Sequence, residues 1–414
     1  MDRGQEGLGE PLGPETFLLP PEGERGDDLA PSTLPEVGTE DRGDVRPSRG
    51  VGLSLLLPGL PQLLAGQIWL GGALIILWGG LLATVVGRWE RVWGAWRGPL
   101  DHQVALLALV MALAGVWALS LQHLRRGEAQ VGSRRQWTRF WRSFASNRLA
   151  LIGAGAVVGV CLGALLAPFL APYDPATQGN LLTHRLAGPS GEHLLGTDQY
   201  ARDILSRLLY GARISLAIGL IAVAIAVTIG TVLGALAGYL GGRIDSIIMR
   251  LVDMVISFPR LVLLITVMAL FRPSIFIIVV ILGLTQWPQV ARIVRAEVLS
   301  LREREFIQAG VALGYSRRRI LFRHILPNAL APVTVAATLG IGDTIILEAV
   351  LSFLGLGIQP PTASWGIMVA DGRSNLLGAW WVTTFPGLAI VLVVLSFNLV
   401  GDGLRDALDP RLRR

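Results

Sequence analysis

The stretch FIQAGVALGYSRRRILFRHILPN, Phe306 to Asn328, carries Arg317, Arg318, Arg319, Arg323 and His324 between segments apolar enough for a bilayer interior. Charge so dense belongs in water or against a polar surface. Phe306, Ala309, Gly310 and Leu313 fall at i, i+3, i+4 and i+7, one face of a helix. Gly314 suits a left-handed helix end. Ser316 suits the cap of a second helix, which Pro327 would stop. Arg317, Arg318 and Arg319 would then occupy the first turn, opposing the helix dipole by a few tenths to about 1 kcal/mol each. Something outside the helix must compensate, either anionic headgroups or an acidic partner surface. The chemistry of this stretch is docking, with an apolar helix face offered to a partner.

Polar residues also interrupt the apolar segments. Arg250, Asp253 and Arg260 lie in one, Asp343 and Glu348 in another, and Asn398 in the last. Arg250 and Asp253 are three apart and can pair on one helix face. Intramembrane polar groups face a protein interior or a watery path. Glu348, Asp343 and Asn398 are therefore candidates for a translocation path or for polar contacts between helices. There is no Walker A sequence, no G-x-S-x-G, no H-E-x-x-H and no His/Cys metal spacing. No catalytic, cofactor-binding or metal-binding residue is assigned, and an enzyme has no chemistry to rest on. Cys161 is the single cysteine, so no intrachain disulfide forms.

These residues need membrane helices to hold them. The 414 residues are 52% hydrophobic and only 16% charged, against roughly a quarter charged in soluble domains. Mean hydropathy is +0.55. All 36 basic residues are arginine, and the formal net charge is +6. The arginines flank apolar runs, which fits the positive-inside rule and not a nucleic-acid partner. Several runs of about 20 residues without charge can cross a bilayer. An all-α, polytopic transmembrane bundle is expected.

Residues 1–50 read as a disordered acidic tail, with no signal peptide. Residues 51–121 form an extra N-terminal membrane segment: a short interfacial or re-entrant stretch at 51–65, then spans near 67–87 and 103–121. Residues 122–148 make a basic linker with Trp137, Phe140 and Trp141 among its arginines, expected as an amphipathic helix on the inner leaflet. Six spans follow in 149–414, near 149–170, 214–240, 246–270, 274–291, 329–352 and 384–402. The linker, the loop 292–328 and the C-terminal tail are arginine-rich, which places both ends of this core in the cytoplasm. The loop 88–102, with Arg88, Arg91 and Arg97, then falls outside against the rule. Gly230, Gly234 and Gly238 are spaced four apart, a pattern that lets helices approach closely. Residues 198–213 read as an amphipathic helix on the outer membrane surface.

Five stretches together carry a resemblance over roughly 135–414. Gln308-Ala309-Gly310, then Gly314, then Leu326-Pro327 match the spacing of the EAA loop of ATP-binding-cassette importer permeases. GTDQYARDILSRLLYGARISL (Gly196 to Leu216), LSFLGLGIQPPTASWG (Leu351 to Gly366), GDGLRDALDPRLR (Gly401 to Arg413) and SNRLALIGAGAVVGV resemble the oligopeptide/dipeptide/nickel branch. The first 130 residues match nothing in that pattern.

The resemblance implies a six-span permease core with about two extra N-terminal spans, in a prokaryotic cytoplasmic membrane. It implies partners: a second homologous permease, two cytoplasmic ATPase subunits holding ATP and Mg, and an extracytoplasmic substrate-binding protein. Short peptides are the implied cargo, with nickel or another small solute as the alternative; a stand-alone channel or secondary transporter is the rival class. The coupling loop 292–328 would dock on the ATPase through Glu303, Glu305, Phe306, Gln308, Ala309, Gly310, Leu313, Gly314, Arg317, Leu326 and Pro327. Gln308 stands where the family has Glu, and Glu303 or Glu305 is expected to take over the ionic contact. Gly196, Thr197, Asp198, Arg202, Asp203 and Trp365 would belong to the outer face. Ala201 stands where the family usually has Gly.

Overall fold

The protein is seen in a computed structural model that describes residues 58, 60, 63, 68–95, 99–125, 135–271 and 273–408. The tail 1–50, nearly all of 51–67, the linker middle 126–134 and the terminal Arg411, Arg413 and Arg414 lie outside the described residues. Among the described residues every regular element is helical.

Helices α1 (Ile68–Gly87) and α2 (Leu100–Arg125) form an N-terminal hairpin. Then come α3 (Arg135–Ser146), α4 (Arg148–Leu165) and α5 (Ile204–Leu240). Next are α6 (Gly242–Ile256), α7 (Arg260–Leu270), α8 (Ile275–Arg302) and α9 (Glu305–Ala312). The last are α10 (Arg317–Phe353), α11 (Trp365–Gly372) and α12 (Trp381–Leu408). Five of these, α4, α5, α8, α10 and α12, are long and apolar enough to cross a membrane; α6 and α7, bent by 80° at their break, have the length and composition of a sixth if taken as one span.

Helix α5 is the centre of the bundle, and its contact with α8 is the most extensive between any two elements. The glycines permit it. A Cβ on Gly230 would sit 2.6 Å from the Val290 Cβ, one on Gly234 would sit 2.5 Å from the Ala291 carbonyl oxygen, and one on Gly238 would sit 2.9 Å from the Arg295 oxygen. Gly283 answers from α8, 2.9 Å from the Ala222 oxygen. The two backbones therefore touch, which larger residues prevent.

Several boundaries differ from the sequence expectation. Residues 198–213 do not form a separate surface helix. Asp203 caps α5, accepting from the Ser206 amide at 2.8 Å, and the helix runs on unbroken to Leu240. Its first polar residues, Ser206 and Arg207, point into protein and are buried. The loop 292–328 is largely helical. Helix α8 continues to Arg302 because its polar turns find partners on α6: Arg295 makes a bidentate pair with Asp245 (2.5 and 2.6 Å) and Arg292 reaches Asp253 at 2.5 Å. Asp253 is thus paired across helices and not with Arg250, which is exposed. Helix α3 is amphipathic, but its Phe144 is covered by Ala150 and Ala407 and not left to lipid.

The N-terminal hairpin packs on the core. Leu74, Leu81, Leu109 and Val116 share a cluster with Leu166 and Phe169. Arg91 donates to the carbonyls of Ala171 (2.7 Å) and Pro172 (3.1 Å), so the connection between α1 and α2 sits at the same end of the bundle as the loop after α4. Here an arginine is spent on backbone oxygens, which accounts for its place in a loop that charge counting alone would put on the other side.

Adding one methyl group separates seam from surface. Gly234→Ala forces α5 and α8 apart and should cost about 1–3 kcal/mol. Gly155→Ala, whose Cβ meets nothing within 4 Å, should be neutral or gain up to about 1 kcal/mol from helix propensity. Thermal melting of the purified variants in detergent checks the contrast.

Candidate functional site

At one end of the bundle α8 stops at Arg302 and the chain turns through Glu303 and Arg304 into α9. Ile307 and Gly310 are buried, so they form the inward face; a Cβ on Gly310 would meet the Tyr315 ring at 3.4 Å. Phe306, Ala309 and Leu313 are exposed, as are Glu303, Glu305 and Gln308. The expected four-residue apolar face is therefore split: Gly310 belongs to the buried side, because a glycine lets α9 lie close against Tyr315. Gly314 has φ +76° and ends α9, the conformation its position suggested.

Ser316 caps the next helix, its Oγ accepting from the Arg319 amide at 3.3 Å. Pro327 does not stop that helix. Residues Ile320–Ile325 widen into a π-helical turn, in which the Leu326 amide donates to the Leu321 carbonyl, and the helix continues to Phe353. The wider turn makes room for a residue without an amide hydrogen. Arg317, Arg318 and Arg319 are exposed, and the Arg319 guanidinium lies 4.2 Å from the Tyr315 ring centre. Tyr315 in turn stacks on His324 at 5.9 Å. Val311 and Phe322 add to the exposed apolar side chains. This end offers Phe306, Val311, Leu313 and Phe322 ringed by arginines, a pattern of protein docking surfaces.

The opposite end is a cap built from 171–203 and 354–380. Gly196, Thr197, Asp198, Arg202, Asp203 and Trp365 all belong to it, and the five of them with side chains are buried to 4% exposure or less. Their roles are internal. Arg202 donates to Asp198 at 2.7 Å and reaches Asp371 of α11 at 3.3 Å; Arg207 lies 3.5 Å from each of those carboxylates. Burial pushes the Asp371 carboxyl up, against the pull of Arg207 and Arg202. Trp365 donates from its indole to the Leu208 carbonyl at 3.0 Å, and its amide donates to the Ser215 hydroxyl. Gly196 has φ +81°, and Trp381 donates to the Thr197 oxygen. These residues bolt the cap to α5; they do not present a surface. Arg207 and Asp371 complete the cluster. Spacing could not reveal them, since the partners are 164 residues apart.

The intramembrane candidates part company. Glu348 is fully buried and accepts from the hydroxyls of Ser352 (2.8 Å), Ser364 (3.1 Å) and Ser215 (3.5 Å). It is a polar knot between α10, α11 and α5, enclosed within this chain. Asn398 is half-buried, 3.6 Å from where a Cβ on Gly342 would stand. Asp343 alone of the three is exposed. Among the described residues no group of three metal-ligating side chains forms a metal site.

Comparison with known proteins bears on all of this. The pattern of the family described as binding-protein-dependent transport system inner membrane component matches residues 230–414. That of the N-terminal transmembrane domain of oligopeptide transport permease C matches 135–189. The chain belongs to the binding-protein-dependent transport permease family. The dipeptide transport system permease protein DppC of Escherichia coli K12 is 49% identical over 281 residues, covering 66% of this chain and 93% of that protein. The same-named protein of Alkalihalophilus pseudofirmus is 44% identical over 277 residues, 67% of this chain and 90% of its own length. The di/tripeptide permease of Pseudomonas aeruginosa is 44% identical over 278 residues, covering 66% and 92%. The family patterns begin at residue 135, beyond the α1–α2 hairpin.

Ala201 has φ +59°, a left-handed conformation that glycine adopts more readily than alanine. Ala201→Gly should relieve about 1 kcal/mol of left-handed strain. A raised melting temperature of the purified chain is the expected result.

Proposed function

We propose that this chain is a permease subunit of an ATP-driven importer, forming with a second homologous permease the path by which short peptides cross the cytoplasmic membrane. The observation that carries this reading is its 43–49% identity to dipeptide permeases over 85–93% of their length. The exposed apolar and arginine-rich surface at α9 and the start of α10 supports it.

On this reading ATP hydrolysis lies on other subunits. ATP and Mg belong to two cytoplasmic ATPase subunits, which dock on Phe306, Leu313 and their arginine surround. Closure of the ATPases draws the docking helices together and turns the path outward; reopening after hydrolysis resets it. A binding protein delivers cargo to the opposite end. The arginine-rich docking end and the C-terminus of α12 lie in the cytoplasm, as the positive-inside rule requires. Three arginines in the first turn of α10 raise the energy of that turn when alone, so an acidic surface on the ATPase would be held tightly there.

The test is a pull-down of the detergent-solubilised complex from its native membrane, with Phe306→Asp/Leu313→Asp beside the wild type. An ATPase subunit recovered with wild type and lost with the variant is the expected outcome; no ATPase with either would remove the mechanical basis of the reading. A second measurement addresses the missing acidic residue of the docking motif. Glu305 lies one turn before Gln308 on α9 and is exposed. Glu305→Gln should lower transport-coupled ATPase activity more than Gln308→Ala, because a charge-assisted hydrogen bond is about twice as strong as a neutral one. Equal losses, or a larger loss from Gln308→Ala, would assign the contact elsewhere.

A further inference from the structure

Asp343 lies ten residues before the end of α10 at Phe353, about 15 Å in along the helix. Its neighbours Ile341, Gly342, Thr344 and Ile345 are all buried, while Asp343 is exposed on the side of the bundle. Among the described residues it accepts no hydrogen bond and forms no ion pair. It lies within the electrostatic field of Arg260. Arg260 opens α7, immediately after the 80° break from α6. Its Nε donates to the Thr285 hydroxyl at 3.3 Å and its Nη2 to the Leu282 carbonyl at 3.4 Å, both on α8. Leu282 is seven residues into α8, about 10 Å from the same end of the bundle. Thr344 donates to the Gln286 Oε1 at 3.0 Å, which ties α10 to α8 at the residues next in sequence to Asp343 and Thr285.

A carboxylate and a guanidinium at this depth cannot face lipid without a large penalty. They also do not neutralise each other by contact. Both are fixed on rigid helices, each with acceptor or donor capacity left over: two carboxylate oxygens on Asp343 and the remaining N–H groups of Arg260. A broken helix with an unpaired charge at membrane depth is the usual setting of a solute site in transporters.

We propose that Asp343 and Arg260 form a cargo subsite in the translocation path, which takes the two ends of a zwitterionic short peptide: the α-ammonium on Asp343 and the α-carboxylate on Arg260. This rests on the peptide-importer reading above. A free peptide carries one charge of each sign whatever its side chains, so one such pair passes many sequences. Thr285, half-buried beside Arg260, supplies a neutral hydrogen-bonding group for the peptide bond. The site is weak by construction, since each charge is satisfied singly and the cargo must leave.

The experiment uses the complete complex in proteoliposomes, with binding protein outside, ATP within and radiolabelled dialanine as cargo. Asp343→Asn, Arg260→Gln and the double variant are compared with wild type. Each single change should lower maximal uptake about tenfold, as loss of one charged hydrogen bond implies, with apparent KM and recovery of the other subunits unchanged. The double variant should be no faster than either single one. Restoration of uptake in the double variant would overturn the proposal in favour of mutual neutralisation. Loss of the second permease from Asp343→Asn would overturn it in favour of a bridge between subunits, and wild-type uptake by both single variants would overturn it outright. A wild-type complex that assembles with its ATPases yet takes up no dialanine would instead refute the peptide cargo itself, separately from anything the variants do.

Discussion

The backbone contact between α5 and α8 is the constraint from which the rest of the bundle follows. Gly230, Gly234, Gly238 and Gly283 leave no side chain in the gap, so the two helices lie as close as backbones allow. In a bilayer, apolar side chains gain little from leaving lipid, and close van der Waals packing must supply association instead. With that seam fixed, α10 packs on both helices, and Thr344 on α10 meets Gln286 on α8. The cap is then held to the same helix α5 by Trp365 and by the Asp198–Arg202–Arg207–Asp371 cluster. One long helix thereby organises both ends.

The two ends are built on opposite rules. The cap buries its charges and pays their desolvation with paired carboxylates, an arrangement that specifies geometry more than it adds stability. The docking end leaves both arginines and large apolar side chains unsatisfied at the surface. The difference suits the proposed function, in which the cap keeps its own form and the opposite end would complete itself on an ATPase subunit.

Much of the fold was legible in the sequence because a bilayer makes apolar length decisive. The long apolar helices of the core, the left-handed Gly314 and the Ser316 cap all rest on local rules and are present in the structure. The misplacements share one cause. Polar residues at 198–213 and 292–302 read as water-exposed, yet Arg207 and Arg295 are helical residues with carboxylate partners far along the chain. Pro327 read as a stop because local rules do not foresee a π-helical turn that absorbs it. The candidate site divides likewise. The exposed apolar face of α9 followed from periodicity, apart from Gly310. Glu348 and Asp343 looked alike in sequence, and only the three serine hydroxyls brought from α5, α10 and the start of α11 separate them.

Helix α10 has an uneven stiffness along its length. Its π-helical turn, Pro327 and Pro332 all fall in the first half, next to the docking end, whereas from Val333 to Phe353 it is unbroken. That second part is about 30 Å long, the thickness of the hydrocarbon layer. A load applied at Arg317 meets a compliant joint first and a stiff rod after it. The joint absorbs changes in angle, and the rod passes on displacement along its axis and rotation about it. Side chains well beyond the joint, Asp343 and Glu348 among them, would then move as one rigid set, so a small twist at the drive end would turn every residue facing the path by the same angle.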